Sequence, residues 1–125
     1  MKRKPIRQVS DLEVYCLSFS SALEIFELSK KFPKEELYSL TDQIRRSSRS
    51  VTANISEGFA KRKNGNIFKQ YLFASIGSVE ETKTWIFFAR DFRYIPVDLA
   101  EELIIKYTRI GAMLFKLIQN WHSTS

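Results

Sequence analysis

The sequence predicts an all-α protein built as an antiparallel, up-and-down four-helix bundle. Apolar side chains recur at three- and four-residue spacing over four long stretches, which is the period of helices that face a core. The 125 residues include only four glycines and three prolines, too few for a turn-rich β fold. The connections between these stretches are short, which makes neighbouring helices antiparallel. We expect one domain that covers residues 1–125.

The first predicted helix begins after a short basic arm, residues 1–9. Ser10 and Glu13 have the spacing of a capping box, in which each side chain accepts from the backbone N–H of the other residue. Val9 and Val14 stand at the positions of a hydrophobic staple around the same cap. The pattern therefore predicts that the helix starts at Ser10.

Two prolines and one glycine-containing turn separate the other helices. Pro33 ends the first helix, because the residue before a proline avoids the helical conformation, and it is suited to the first turn of the second helix. The stretch 61–66 is the clearest loop, and Asn64 or Asn66 can cap the third helix. Pro96 is placed to start the fourth helix. The predicted helices span roughly residues 10–31, 33–58, 64–92 and 96–121, followed by a tail at 122–125.

The second and fourth helices each have one apolar face, as a bundle requires. The predicted core residues of the second helix are Leu37, Leu40, Ile44, Val51, Ile55 and Phe59. Those of the fourth are Leu99, Leu103, Tyr107, Ile110, Leu114, Leu117 and Trp121.

The first and third helices carry more apolar residues than one face can hold. The predicted core stripe of the first helix is Leu12, Tyr15, Cys16, Phe19, Leu23 and Phe26, and that of the third is Ile67, Phe68, Tyr71, Val79, Trp85, Ile86 and Phe92. The surplus residues need cover, because a soluble monomer rarely exposes such stripes. We therefore predict self-association through Val14, Leu17, Ile25, Leu28, Phe73, Ile76 and Phe87. The spacing alone does not choose between a ring and a dimer.

The residues needed for catalysis or metal binding are scarce. His122 is the only histidine, so a histidine relay or a cluster of histidine ligands cannot form. Cys16 is the only cysteine, and its place on the apolar stripe favours a buried structural thiol over a nucleophile. No phosphate-cradling glycine loop is present. The sequence predicts no enzymatic activity, no cofactor and no metal.

The sequence also indicates a cytoplasmic protein without a membrane anchor. A single cysteine cannot form an internal disulfide, which suits a reducing compartment. The basic N-terminus is not followed by the apolar segment of a signal peptide. The longest apolar run, residues 85–89, is far shorter than the roughly 20 residues that span a bilayer.

Basic residues are the main positive indication of function. The formal net charge is +6 and the sequence pI is near 9.6, which favours polyanionic partners. Arginine forks match phosphate oxygens and a tyrosine ring can stack on an unpaired base. The predicted nucleic-acid-binding residues are Tyr38, Arg45, Arg46, Arg49, Lys61, Arg62 and Lys63. The alternative is that Asp42 pairs with Arg45 and Arg46 on a solvated face.

A polar strip runs beside the apolar face of the second helix. It consists of Gln43, Ser47, Ser50, Asn54 and Glu57. These groups could form a hydrogen-bonded seam against another helix, or they could form a solvated edge.

Several of these segments resemble a known family. The pattern comprises Phe32-Pro33, Glu36-Leu37-Tyr38-Ser39-Leu40, Gln43-Ile44-Arg45-Arg46-Ser47, Ser50-Val51 and Asn54-Ile55-Ser56-Glu57-Gly58. It resembles the four-helix-bundle proteins encoded in intervening sequences of bacterial large-subunit ribosomal RNA genes. Asp11-Leu12-Glu13-Val14-Tyr15 and Phe68, Tyr71-Leu72, Ala74, Gly77-Ser78 and Glu80-Glu81 are similar to that family's first- and third-helix signatures. Ser47 and Ser48 depart from it, because the family usually has small apolar residues there.

The resemblance implies a four-helix protomer, a homo-oligomer that is favoured to be a pentameric ring, and no enzymatic activity. The family is similar to the accessory proteins of diversity-generating retroelements, which are basic pentamers that bind nucleic acid and a reverse transcriptase. Together with the charge, this predicts a non-enzymatic oligomer that binds RNA or DNA. The alternative is a protein-interaction scaffold whose partner is another protein and whose basic surface is incidental.

Overall fold

The computed structural model describes residues 5–122, which contain four α-helices and no β-strand. The helices are α1 (Glu13–Ser29), α2 (Leu40–Ala60), α3 (Gly65–Asp91) and α4 (Val97–Asn120), with short 3₁₀ turns at Val9–Asp11 and Lys34–Glu36. The predicted all-α class and the number of helices are confirmed. Residues 1–4 of the predicted basic arm and 123–125 of the predicted tail lie outside the described range.

The four helices pack in chain order around one core. α1 packs against α2 and α4, and α3 packs against the same two helices, whereas within residues 5–122 the backbones of the diagonal pairs, α1 with α3 and α2 with α4, do not approach each other closely. Thr82 Oγ1 donates to Ser47 Oγ at 2.9 Å, and Ser75 Oγ donates to the Val51 carbonyl at 2.7 Å. A later residue of α2 thus contacts an earlier residue of α3, so the two helices are antiparallel.

The predicted core faces of α2 and α4 are largely confirmed. Ile44, Val51 and Ile55 of α2 are buried, as are the central apolar residues of α4. Leu37 is the exception on the second helix and is exposed. It follows the 3₁₀ turn and precedes α2, so it does not share the helical phase of the later residues.

On α1 the predicted core and surplus stripes are exchanged. Val14 and Ile25 are buried, with Ile25 only 1% exposed, and Leu17 and Leu28 pack partly against the core. Four of the predicted core residues are exposed: Cys16, Phe19, Leu23 and Phe26. The prediction that Val14, Leu17, Ile25 and Leu28 lie outside the core is therefore wrong, and Val14 and Ile25 have no surface to offer a second copy.

Serines explain the exchange on α1. Ser18, Ser21 and Ser29 lie on the same buried face as Ile25. Ser18 accepts a hydrogen bond from Thr52 at 3.0 Å, so hydroxyl groups rather than apolar side chains make this part of the contact with α2. An apolar pattern does not count serine as a core residue, so the buried face of α1 has too few apolar residues to be predicted as its core face.

The first two helix starts also differ from the prediction. Ser10 lies in the 3₁₀ turn before α1, where the Asp11 carboxylate accepts from the backbone N–H groups of Arg7 and Gln8 at 2.9 and 3.0 Å. The predicted capping box of Ser10 and Glu13 is therefore wrong. Pro33 precedes a 3₁₀ turn instead of a continuous helix, and α2 begins only at Leu40.

The later helix starts agree with the prediction. Asn64 caps α3, because its side-chain oxygen accepts from the backbone N–H groups of Asn66 and Ile67 at 3.1 and 3.2 Å. Pro96 immediately precedes α4. Both starts were predicted from local chemistry that does not depend on the rest of the fold.

The connection before α2 is bonded to the connection before α4. The Glu36 carboxylate accepts from Ser39 Oγ at 2.6 Å and from Tyr94 Oη at 2.7 Å. These two hydrogen bonds hold the pKa of the Glu36 carboxyl below its usual value, chiefly through Ser39. The next residue back, Arg93, has a left-handed backbone with φ of 65°. The Glu36 carboxylate therefore joins the α1–α2 connection to the α3–α4 connection at one end of the bundle.

The predicted polar strip of α2 is a hydrogen-bonded seam over its central part. Ser47 bonds to Thr82, and Ser50 lies 2.9 Å from Ser78 Oγ. Asn54 Nδ2 donates to Ser50 Oγ at 3.0 Å, which extends the seam along α2. The two outer members of the strip, Gln43 and Glu57, are exposed. The seam and the solvated edge thus occupy different parts of the same strip.

Tyr107 provides a test of the core. Its side chain is fully buried, burial raises the pKa of its phenol, and its Oη has no hydrogen-bond partner within residues 5–122. A buried polar group without a partner costs about 1–3 kcal/mol. Tyr107→Phe should therefore raise the free energy of unfolding by about 1 kcal/mol in urea denaturation. Tyr94→Phe is the control and should lower stability, since its hydroxyl donates to Glu36. A loss of stability in Tyr107→Phe would show that this hydroxyl is bonded.

Candidate nucleic-acid interface

The seven predicted nucleic-acid-binding residues fall into two separate clusters. Tyr38, Arg45, Arg46 and Arg49 form the arginine cluster, before and within the first half of α2. Lys61, Arg62 and Lys63 form the basic turn between α2 and α3. At about 1.5 Å of rise per residue, Arg45 and Lys61 are about 24 Å apart along the helix. The structure therefore does not bring these residues into one patch.

Two of the cluster's arginines are occupied by contacts within the chain. Arg45 Nε donates to Ser29 Oγ at 2.7 Å, and its guanidinium lies 4.6 Å from the centre of the Phe26 ring. Arg46 pairs with Asp42 at 3.0 Å, so the solvated ion pair that we considered as an alternative is present at Arg46. Exposed ion pairs of this kind contribute little to stability. Arg45 is half-buried under its contacts, whereas Arg46 stays exposed beside a weak ion pair.

The other two members of the cluster are exposed. Arg49 Nε donates to the Arg45 carbonyl at 3.1 Å, which leaves the rest of its guanidinium open to solvent. Tyr38 is 91% exposed. The arginine cluster thus presents to a polyanion the ring of Tyr38, the guanidinium of Arg49 without an ion pair, and that of Arg46 paired with Asp42.

The basic turn is held in place by aromatic residues. Lys61 Nζ donates to Tyr71 Oη at 2.7 Å, and this hydrogen bond raises the pKa of the lysine. The Arg62 guanidinium lies 4.0 Å from the centre of the Phe59 ring and donates to the Phe59 carbonyl. Lys63 is exposed. None of the three cations forms an ion pair with a carboxylate in the described part of the chain. The turn therefore carries three positive charges without an ion pair, and the carboxylate of Glu57 acts on Lys61 only from a distance.

A polar cleft of about 330 Å³ extends the basic turn onto α3. It is lined by Lys63, Asn64, Gly65, Asn66, Lys69 and Trp121. Lys69 was not among the predicted residues. It lies one turn after the start of α3, close to the end of that helix that adjoins the basic turn. Backbone N–H groups and the helix dipole favour anions at such an end. The cleft adds a fourth cation beside the turn.

An apolar groove between α1 and α2 was also missed. It has a volume of about 530 Å³ and is lined by Tyr15, Phe19, Ala22, Leu23, Phe26, Arg45, Ser48, Arg49, Thr52, Ala53 and Ser56. The exchanged stripes of α1 explain the omission, because the aromatic residues assigned to the core form one wall of this groove. Arg45 and Arg49 of the arginine cluster supply its charge.

The described residues contain no cluster of metal ligands, and Cys16 does not lie where the sequence pattern placed it. From residue 5 to residue 122, no three histidine, cysteine or acidic residues are grouped as metal ligands. Cys16 is exposed instead of buried, and its Sγ donates to the Ser10 carbonyl at 3.3 Å. The predicted burial of this thiol is wrong because it rested on the incorrect face of α1. None of the described helices is both long and apolar enough to cross a bilayer.

The fold and the charged surfaces define a basic, all-α protein whose four helices pack in chain order. The chain belongs to the 23S rRNA-intervening sequence protein family, whose model matches residues 10–116. The resemblance that the sequence segments indicated is therefore confirmed.

One solved structure is similar over most of the chain. It is a protein with unknown function from the S23 ribosomal protein family of Bacteroides thetaiotaomicron VPI-5482, with 25% sequence identity and a TM-score of 0.77. The similarity covers 86% of this chain and 99% of that one. A comparison with curated proteins gives no match.

Proposed function

We propose that this protein is not an enzyme and that it binds nucleic acid, RNA or DNA, as a homo-oligomer. The observation that supports this function best is the basic turn, where Lys61 and Lys63 are exposed, Arg62 is half-buried, and none of the three forms an ion pair with a carboxylate among the described residues. Cations in this state can neutralise phosphates and release condensed counterions. Lys69 in the adjoining cleft adds to the same surface.

Oligomerisation would multiply this charge. The family resemblance favours a ring of five, and five copies at +6 each would carry a total of about +30. Contacts to phosphate fix position on a nucleic acid but do not read its sequence. We therefore expect binding that is strong at low salt and tolerant of sequence.

The test is a titration of the purified, nuclease-treated protein against a structured RNA at several salt concentrations. If one basic turn neutralises three phosphates, affinity should fall about 40-fold between about 50 and 200 mM salt, with a linear log–log plot. Fluorescence anisotropy of a labelled RNA measures this directly. A flat salt dependence would contradict the proposal, as would an affinity equal to that of an unrelated protein with the same net charge.

The second candidate function is a protein-interaction scaffold, which a row of aromatic side chains at the end of α3 and in the connection after it favours. Trp85, Phe88, Phe92 and Tyr94 follow one another with ring centres 5.5–5.9 Å apart. Phe88 and Phe92 are exposed, as are the aromatic residues of many protein interfaces. A scaffold should retain a co-purifying protein after nuclease treatment and high salt. A nucleic-acid binder should instead show a raised ratio of absorbance at 260 nm to that at 280 nm before nuclease treatment.

A further inference from the structure

The polar cleft beside the basic turn contains two lysines that have no partner in the described part of the chain. It is lined by Lys63 and Lys69, and its described lining includes no carboxylate. Lys61 and Arg62 each donate a hydrogen bond to another group of the chain. Lys63 and Lys69 have neither a hydrogen-bond nor an ion-pair partner within residues 5–122, and Lys69 is half-buried. A cation that is partly withdrawn from water without a counter-charge favours an anionic ligand beside it.

N–H groups without acceptors border the same cleft. The Asn64 side chain accepts from the backbone N–H groups of Asn66 and Ile67, but the N–H of Gly65 has no acceptor among the described residues. Gly65 lines the cleft and has no Cβ, so a ligand can approach its N–H closely. Trp121 also lines the cleft, and its Nε1 is buried without a partner in the same part of the chain. The cleft thus combines two free cations with two donors that lack an acceptor.

We infer that this cleft binds the terminal phosphate monoester of a nucleic-acid strand. A monoester carries a charge of about −1.5 to −2 near pH 7 and has three strong acceptor oxygens. A phosphodiester within the strand carries a single negative charge. The two lysines match the charge of the monoester, and their ammonium groups together with the Gly65 N–H provide one donor for each of its oxygens. The volume of about 330 Å³ is that of a small-ligand pocket, which admits one strand end and excludes a duplex.

This inference rests on the proposed function and divides the work of its basic surface. Lys61 and Arg62 do not line the cleft, so they contact phosphodiesters at any position along the strand. Lys63 and Lys69 hold the end of the strand. A terminal phosphate has the same chemistry whatever base it follows, so its recognition adds a preference for strand ends without adding a preference for sequence.

The test compares three versions of one short, single-stranded RNA that carries an internal fluorescent label. One version has a 5′-phosphate, one has a 3′-phosphate, and one has hydroxyl groups at both ends. Fluorescence anisotropy at about 0.1 M salt should show that the nuclease-treated protein binds at least one phosphorylated strand about tenfold more tightly than the hydroxyl strand, because hydrogen bonds to charged groups contribute at least this much. The better of the two phosphorylated strands identifies the end that is bound. Lys69→Gln should reduce the preference to less than about twofold.

Lys61→Gln is the matched control, because it removes the same charge from a residue that does not line the cleft. It should weaken the binding of all three strands by the same factor and keep the preference. If Lys61→Gln loses the preference as fully as Lys69→Gln does, the preference reflects total charge and the inference is overturned.

Three further results would also overturn the inference. One is equal binding of the three strands by the wild type, which would leave the proposed function standing, whereas no binding of any strand would overturn both. Another is a preference that Lys69→Gln retains, because the terminal phosphate would then lie elsewhere. The last is adenosine monophosphate that binds as tightly as the phosphorylated strand, because the ligand would then be a free nucleotide.

Discussion

Gly58→Ala is expected to lower the free energy of unfolding by about 1–2 kcal/mol, although alanine is a better helix former than glycine. A Cβ on Gly58 would lie 2.6 Å from Tyr71 Cβ and 3.0 Å from Phe68 Cδ1. Tyr71 Cβ is fixed to the backbone of α3, so α2 and α3 must separate to admit the methyl group. Overpacking of this kind costs about 1–3 kcal/mol, against a gain of up to about 1 kcal/mol from helix propensity.

Gly77→Ala is the matched control for this substitution. Gly77 lies within α3 and has nothing within 4 Å of the position of an added Cβ. The same change should therefore raise stability by up to about 1 kcal/mol. Urea denaturation of both variants under identical conditions gives the comparison. Equal effects of the two substitutions would show that close packing at Gly58 is not what keeps α2 and α3 together.

The second large effect is expected from removing the charge of the basic turn. A triple variant, Lys61→Gln with Arg62→Gln and Lys63→Gln, should bind structured RNA about 100-fold more weakly at about 0.1 M salt. Each lost phosphate contact should also reduce the slope of the log–log salt plot by about 0.9. Fluorescence anisotropy measures both quantities, and light scattering should show an unchanged oligomer.

An equal loss of charge elsewhere on the surface is the control. The control variant replaces three exposed lysines by glutamine: Lys31, Lys34 and Lys116. It has the same net charge as the triple variant but keeps the basic turn intact. If both variants lose affinity equally, binding depends on total charge and the basic turn is not the site.

Local chemistry predicted the helices more reliably than the faces they present. α2 and α4 have clear apolar faces. The start of α3 depends on the cap formed by Asn64, whose hydrogen bonds involve only residues next to it in the chain. The core face of α1 was predicted incorrectly because it carries Ser18, Ser21 and Ser29, which are buried against other helices. Ser18 and Ser29 accept hydrogen bonds from Thr52 and Arg45 of α2, whereas Ser21 Oγ has no hydrogen-bond partner within the described residues. Such burial is a tertiary feature that periodicity does not contain.

The candidate site was predicted as a set of residue types, without their arrangement. Spacing along one helix placed Arg45 and Arg49 on a strip, but it could not show that Phe26 of α1 lies under Arg45. The sequence analysis also treated the arginine cluster and the basic turn as one set of binding residues, although the two lie about 24 Å apart along α2. Lys69 was missed because its approach to Lys63 depends on how the cleft at the start of α3 folds.

The seam between α2 and α3 has a consequence for the alignment of these two helices. Apolar contacts tolerate sliding, since they have little directional preference. The hydroxyl pairs Ser47–Thr82 and Ser50–Ser78 form at only one relative height of the two helices. A shift by one helical turn, about 5.4 Å, would break both pairs. Thr82 and Ser47 would then keep only their hydrogen bonds to carbonyls of their own helices. The hydroxyl pairs therefore favour one register for the contact between α2 and α3, the most extensive helix contact within the described residues.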